Sequence, residues 1–168
     1  MAGFNPFRLV EQTGVAAWVR EDALAFPVLE AVHVSAVMLV FGSICMMDLR
    51  LLGAASLSQP VTRLSDEVLP WTWTAFAVAV VSGSLLMSGQ AGAYAVNAQF
   101  QLKMALMLAA GCNMALFHFG VWRGVDAWDR AVAPPARAKL AGFLSLALWI
   151  GVIVAGRWVG WTFSASPF

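Results

Sequence analysis

A glutamate and a histidine stand three residues apart near the start of a long apolar segment. The segment LEAVHVSAVMLVFGSICMMDLRLLG runs from Leu29 to Gly53 and contains Glu30 and His33. Residues three apart lie on one face of a helix, so we expect the carboxylate and the imidazole to share a face that points away from lipid. An ionisable group inside a membrane costs on the order of 2.5–3.5 kcal/mol even on the lenient insertion scale, so each one suggests a function.

A second apolar segment carries a comparable stripe of side chains. In QLKMALMLAAGCNMALFHF, residues 101–119, the stripe holds Lys103, Met107, Met114 and His118. These four residues fall within about 60° of one another at roughly 100° per residue. The first and third helices of an antiparallel four-helix bundle are parallel and diagonal, so we expect the two stripes to face each other across the core.

The two histidines are predicted to differ in depth. His33 lies about eight residues into its helix and His118 about nineteen into a parallel one, which separates them by roughly 16 Å at 1.5 Å per residue. Two nitrogens bound to one metal ion must be about 4 Å apart. This difference argues against a single haem held by both histidines.

The layer around His33 has the composition of a cofactor site. An imidazole with two nearby cations suits a haem b with two propionates, with His33 as an axial ligand and the cations paired with the propionates. Glu30 is expected to orient the imidazole through its other nitrogen. The predicted cofactor-binding residues are Glu30, His33, Lys103, Met104, Met107, His118 and Arg157, and the predicted metal ligands are His33 and His118.

Other chemistries fit the same residues. The set could bind another anionic amphiphile, and imidazole with thioether could hold Cu(I). His33 could equally serve only to hydrogen-bond Glu30 or a backbone carbonyl, and for His118, close to a helix end, that structural role is favoured. A second haem on His118 is a further alternative.

Membrane-spanning helices are needed to position these side chains. Of the 168 residues, 61% are hydrophobic and 11% are charged, where soluble domains average about 25% charged. Four spans near the ~20 residues needed to cross a bilayer are predicted at about 25–52, 70–90, 99–122 and 138–162, with Pro70 at a helix start. An amphipathic helix over 4–22 is expected to lie in the interface. The predicted fold is all-α: one membrane domain over 1–168, an antiparallel four-helix bundle.

The distribution of Lys and Arg predicts the orientation. Six cations flank the first–second and third–fourth connections, and only Arg8 and Arg20 flank the other side, so both termini are expected in the periplasm. The expected partner is the lipid bilayer, and a net charge of +1 gives no case for nucleic acid. Small residues such as Gly83 and Gly151 would allow close helix approach, which is compatible with a homodimer or a membrane redox complex.

The quoted segments also carry a family resemblance. With WVREDALAFPVLEAVHV and LWIGVIVAGRWVGW, they resemble a family of small uncharacterised four-span bacterial membrane proteins, and more distantly the CopD copper-resistance and HemJ protoporphyrinogen oxidase families. In HemJ-like proteins a first-span histidine precedes a charged helix end, and a lysine opens the third span. The resemblance therefore implies haem b on His33, with Lys103 as its functional partner.

These observations predict a haem-b-binding protein of the bacterial inner membrane that transfers electrons. The alternatives are a HemJ-like porphyrinogen oxidase, a CopD-like protein for copper handling or transport, and a structural subunit of a larger membrane complex. The residues leave open whether the chain is an enzyme.

Overall fold

The structure is a computed structural model that describes residues 6–131 and 133–164, and in these residues all regular structure is helical. Two short helices come first, α1 (Pro6–Glu11) and α2 (Gly14–Glu21). The long helices are α3 (Ala25–Leu52), α4 (Val61–Ser88), α6 (Ala98–Phe119) and α7 (Ala136–Ser164), with the short α5 (Ala91–Val96) between α4 and α6 and a 3-10 helix (Val121–Ala127) after α6. The all-α prediction is confirmed.

Four of the helices are long and apolar enough to cross a membrane, over residues 25–52, 61–88, 98–119 and 136–162. They correspond to the four predicted spans, and the chain is compatible with a multi-pass membrane protein. We call the end of the bundle that carries α5 the α5 end, and the opposite end, where α3 finishes, the Arg50 end.

The predicted start of the second span at Pro70 is wrong. The helix begins at Val61, and Pro70 lies inside it. Asp129 from the distant 3-10 connection explains the earlier start, because its carboxylate accepts from the Thr62 backbone N–H (2.8 Å) and from the Thr62 hydroxyl (3.1 Å). A helix N-terminus needs such acceptors for its first N–H groups, and no local sequence signal announces one that comes from so far away.

The predicted single helix over 4–22 is divided in two within the described residues. The Thr13 hydroxyl caps α2 by accepting from the Ala16 N–H (3.3 Å) and donates to the Val10 carbonyl (2.7 Å). The Asp22 carboxylate then accepts from the N–H groups of Leu24 and Ala25, at 2.8 and 2.9 Å, where α3 begins. Residues 4 and 5 of that prediction lie outside the described residues.

The helices are arranged in the order α4–α3–α7–α6. Helix α3 packs against both α4 and α7, and α6 packs against α7, whereas α4 and α6 make few or no contacts in the described part of the chain. Glycines permit the close contacts: a Cβ on Gly142 of α7 would lie 3.1 Å from the Asp48 carbonyl oxygen of α3. The bundle is therefore open along one side, between α4 and α6.

Arg50, at the end of α3, fixes the connections at its end of the bundle. Its side chain is fully buried. Nε donates to the Gln59 carbonyl (2.9 Å), and one terminal nitrogen donates to the carbonyls of Asp129 (3.2 Å) and Ala131 (3.3 Å). Since the Asp129 carbonyl also accepts from the Val61 N–H (3.1 Å), one guanidinium ties the end of α3 to both connections and to the start of α4.

Replacing Arg50 with Ala should destabilise the bundle strongly. Truncation leaves three carbonyls without this donor, and a buried group that loses its partner costs about 1–3 kcal/mol. We expect a loss of about 3 kcal/mol or more in the free energy of unfolding, measured by denaturation of the detergent-solubilised protein. Arg63→Ala is the matched control, because Arg63 makes only an exposed ion pair with Glu67. Equal effects of the two substitutions would contradict the structural role of Arg50.

Candidate functional site

His33 lies on α3 with its imidazole ring against α4. The ring is half-buried, and Nδ1 lies 3.0 Å from the Ala79 carbonyl oxygen and 3.2 Å from the Ser82 hydroxyl oxygen. The Ser82 hydroxyl itself donates to the Val78 carbonyl at 2.6 Å, so it can accept from the imidazole. A carbonyl oxygen can only accept, which means that Nδ1 carries the hydrogen in this contact. In the neutral ring, Nε2 is then the nitrogen with a free lone pair.

Gly83 provides the space for this ring. A Cβ at Gly83 would lie 2.8 Å from Cε1 of His33 and 3.2 Å from Nδ1. Both distances are shorter than the usual contact between such atoms. Residues 79–83 of α4 therefore contact one side of the imidazole with the Ala79 carbonyl, the Ser82 hydroxyl and the bare backbone of Gly83. We call this segment the Ala79–Gly83 cradle.

Lys103 brings a positive charge into the neighbourhood of His33. It lies near the start of α6 and is partly buried, and its charge is close enough to act on the imidazole. Its side chain runs along α7 at Gly156, where a Cβ would lie 3.6 Å from Cδ and 3.9 Å from Nζ. Arg157, the next residue, is exposed. Of the two cations predicted near His33, Lys103 thus lies at the contact between α6 and α7, and Arg157 lies at the same end of the bundle with its side chain on the surface.

Glu30 occupies a different position from the one predicted. Ala79 and Ser82, rather than Glu30, hold the Nδ1 of His33, because the imidazole turns towards α4 and Glu30 is exposed. The Glu30 carboxylate acts instead on Tyr94 of α5. Burial, and secondarily the Glu30 charge, raise the pKa of the Tyr94 hydroxyl above its ordinary value, so that hydroxyl stays protonated at neutral pH.

The two methionines predicted as further ligands lie on α6 close to Lys103. Met104 is 47% exposed on the helix surface, and Met107 is half-buried. Neither side chain contributes to the cradle around the His33 ring. In this part of the bundle, the candidate ligand nitrogen is Nε2 of His33.

His118 lies at the opposite end of the bundle, next to the last residue of α6. Its Nδ1 contacts the Met114 carbonyl at 3.0 Å, one turn back on the same helix. Its ring packs near Phe117 and Trp122, with centroids 5.6 and 5.7 Å apart. The structure therefore does not bring the two histidines together, as the depth argument predicted, and His118 is held by its own helix and by aromatic packing.

Two cavities lie close to this region, although His33 lines neither of them. One, of about 380 Å³, is lined by the apolar Val19, Phe26 and Leu86 together with Arg20 and Tyr94. The other, of about 330 Å³, is an apolar groove on α3 and α4 with Ser82 in its lining. Nε2 of His33 lies 3.7 Å from the position of a Cβ on Gly83, so this edge of the ring also packs against α4.

Over residues 24–162, the chain matches a family of unknown function, DUF6644. The chain belongs to DUF6644. No curated protein and no solved structure matches it, so the comparisons provide no link to the CopD or HemJ families. The matched region of this DUF6644 protein includes the four long helices and begins after α2.

The sequence did not identify Ala79 or Ser82 as residues that hold His33, and it indicated Gly83 only as a place of close helix approach. Ala79 acts through its backbone carbonyl, which no side-chain pattern can show. Ser82 and Gly83 are small residues on the helix that packs against α3, and small residues are known to permit close helix contacts. Their position in the second span was the available signal, but only the register between α3 and α4 identifies His33 as the side chain that they receive.

Substituting Gly83 with Ala should displace the His33 imidazole of this DUF6644 protein. The added methyl group cannot occupy the position 2.8 Å from Cε1, and overpacking a helix contact typically costs about 1–3 kcal/mol. We expect a fall of that size in the free energy of unfolding in detergent. Gly42→Ala on α3 is the control, because a Cβ at Gly42 meets no atom within 4 Å. A Gly83→Ala protein as stable as Gly42→Ala would show that the ring does not lie on Gly83.

Proposed function

We propose that this DUF6644 protein binds haem b through Nε2 of His33 and transfers electrons across or within the bacterial inner membrane. The observation that carries the proposal is the hydrogen bond from Nδ1 of His33 to the Ala79 carbonyl, 3.0 Å long. Metal-binding histidines usually donate their second ring N–H to a carbonyl or carboxylate, which fixes the tautomer and orients the free nitrogen. His33 is held in that way, on one of the four long apolar helices.

The surrounding residues fit the anionic and apolar parts of a haem. Lys103 lies near enough to act on His33 electrostatically, and Arg157 follows Gly156, which the Lys103 side chain contacts. These cations would pair with the propionates, while the apolar surfaces of α4 and α6 would contact the porphyrin. When bound, haem supplies a one-electron carrier, and its axial ligand and neighbouring charges set the reduction potential. The protein's own contribution is to hold Nε2 deprotonated and to place positive charge beside it.

The proposed orientation in the inner membrane has both termini in the periplasm. Arg63, Arg123, Arg130, Arg137 and Lys139 all belong to the segments that meet at the Arg50 end of the bundle. Cytoplasmic loops carry an excess of Lys and Arg, so the Arg50 end would face the cytoplasm and the His33 site would lie towards the periplasmic side.

A copper site is a weaker alternative for the same region. Among the described residues, no three His, Cys, Asp or Glu side chains form a group that could hold a metal ion. A copper site at His33 would therefore depend on thioether ligands, and Met104 is largely turned to the surface. A haem would need only one nitrogen from the protein, because the porphyrin itself supplies four nitrogens to the iron.

The optical spectrum of the detergent-purified protein tests the proposal, and the chain offers a matched pair of variants. His33 and His118 are the only two histidines. We expect a Soret band in the wild-type protein, loss of that band in His33→Ala, and retention of it in His118→Ala. A wild-type protein from haem-sufficient cells with no Soret band would contradict the proposal, and so would a band that His33→Ala leaves unchanged.

A further inference from the structure

A second ionisable group is buried in the bundle, far from His33. Asp48 lies on α3 one turn before the helix ends, and its residue is only 5% exposed. It faces α7 at Gly142, whose missing side chain lets the two backbones approach: a Cβ there would lie 3.6 Å from the Asp48 Cα. The contact between α3 and α7 therefore encloses the carboxyl group and separates it from lipid and water.

Two uncharged side chains lie near this carboxyl. The Ser145 side chain of α7 is its hydrogen-bonding neighbour, and Cys45 lies one turn away on the same helix. The carboxyl oxygen Oδ2 is buried and has no hydrogen-bond partner among the described residues. An aspartate enclosed so completely would normally accept several hydrogen bonds or pair with a cation.

The nearest cations form no ion pair with Asp48 in the described part of the chain. Arg50, two residues along the helix, directs Nε and one terminal nitrogen to the carbonyls of Gln59, Asp129 and Ala131, and its other terminal nitrogen is buried without a hydrogen-bond partner among the described residues. Lys139 lies one turn before Gly142 on α7, yet within the described residues the single ion pair is the one between Arg63 and Glu67. From α4, the third helix of this contact, Thr72 meets α3 through the neutral Ser43 hydroxyl (2.8 Å). Within the described residues Asp48 therefore has no ion-pair partner on α3, α4 or α7.

We propose that Asp48 is an intramembrane proton-binding site, whose carboxyl group is neutral at neutral pH and whose ligand is a proton. An isolated carboxylate anion in an apolar interior is far more costly than a neutral carboxyl, so the group takes up a proton rather than remain charged. The O–H then points to the Ser145 hydroxyl oxygen. Oδ2 is left as a neutral carbonyl oxygen, which tolerates an unpaired state better than an anionic oxygen does.

The chemistry of the surroundings favours a proton over a metal ion. A divalent cation needs several oxygen ligands, and the described residues contain no group of three His, Cys, Asp or Glu side chains around Asp48. A proton needs one carboxyl oxygen and one acceptor, which Asp48 and Ser145 supply. The proposal is independent of haem binding, because Asp48 and His33 lie at opposite ends of α3.

Infrared spectroscopy of the purified full-length protein tests this site. At neutral pH the wild-type protein should show the C=O stretching band of a protonated carboxylic acid, and Asp48→Asn should lack it. Asp66→Asn is the control, since Asp66 is exposed on α4 and its removal should leave the band in place. A band that Asp48→Asn leaves unchanged would overturn the proposal.

Ser145→Ala provides a second test that keeps Asp48 itself. Loss of the hydroxyl acceptor should shift the band to the higher frequency of a less strongly hydrogen-bonded carboxylic acid without abolishing it. An unshifted band would contradict the pairing with Ser145. Loss of the wild-type band on addition of sodium ions at constant pH would show that the ligand is a metal cation, and would also overturn the proposal.

Discussion

The buried guanidinium of Arg50 is the interaction on which the rest of the structure depends. It joins the end of α3 to two connections that are 9 and 79 residues away in the chain, and one of those connections caps the start of α4. In an apolar bundle, hydrophobic contact alone gives little preference for one helix register over another, because lipid and helix surfaces are equally apolar. Directional hydrogen bonds at one end supply that preference, and they set the height of α3 relative to α4 and α7.

The consequences of this register appear at both ends of α3. At the α5 end, His33 meets the Ala79–Gly83 cradle of α4. Near the Arg50 end, Asp48 meets Gly142 and Ser145 of α7. A shift of one residue along either helix would turn the glycine away and place a side chain against the imidazole or the carboxyl group. Thus the same helix directs an imidazole towards α4 and a buried carboxyl towards α7.

The sequence predicted much of the fold because four apolar segments of membrane length leave few alternatives. It also placed His33 and His118 at different depths, since depth follows from residue count along parallel helices. Prediction from the sequence failed where residues that are distant in the chain form the contacts. The start of α4 depends on Asp129, far along the chain, so Pro70 was a misleading local signal. The partner of His33 is a backbone carbonyl, and Glu30, the obvious local candidate, points elsewhere. No local pattern indicates the role of Arg50, because its loop carbonyl acceptors have no sequence signature.

We propose that α4 holds Nδ1 of His33 so that Nε2 can bind iron. Anomalous diffraction at the iron edge, from crystals of the protein purified from haem-sufficient cells, tests this most directly. We expect an iron peak at bonding distance from Nε2 of His33, with Nδ1 still on the Ala79 carbonyl. An iron peak at His118 alone, or iron bound to Nδ1 of His33 with the Ala79 contact broken, would contradict it.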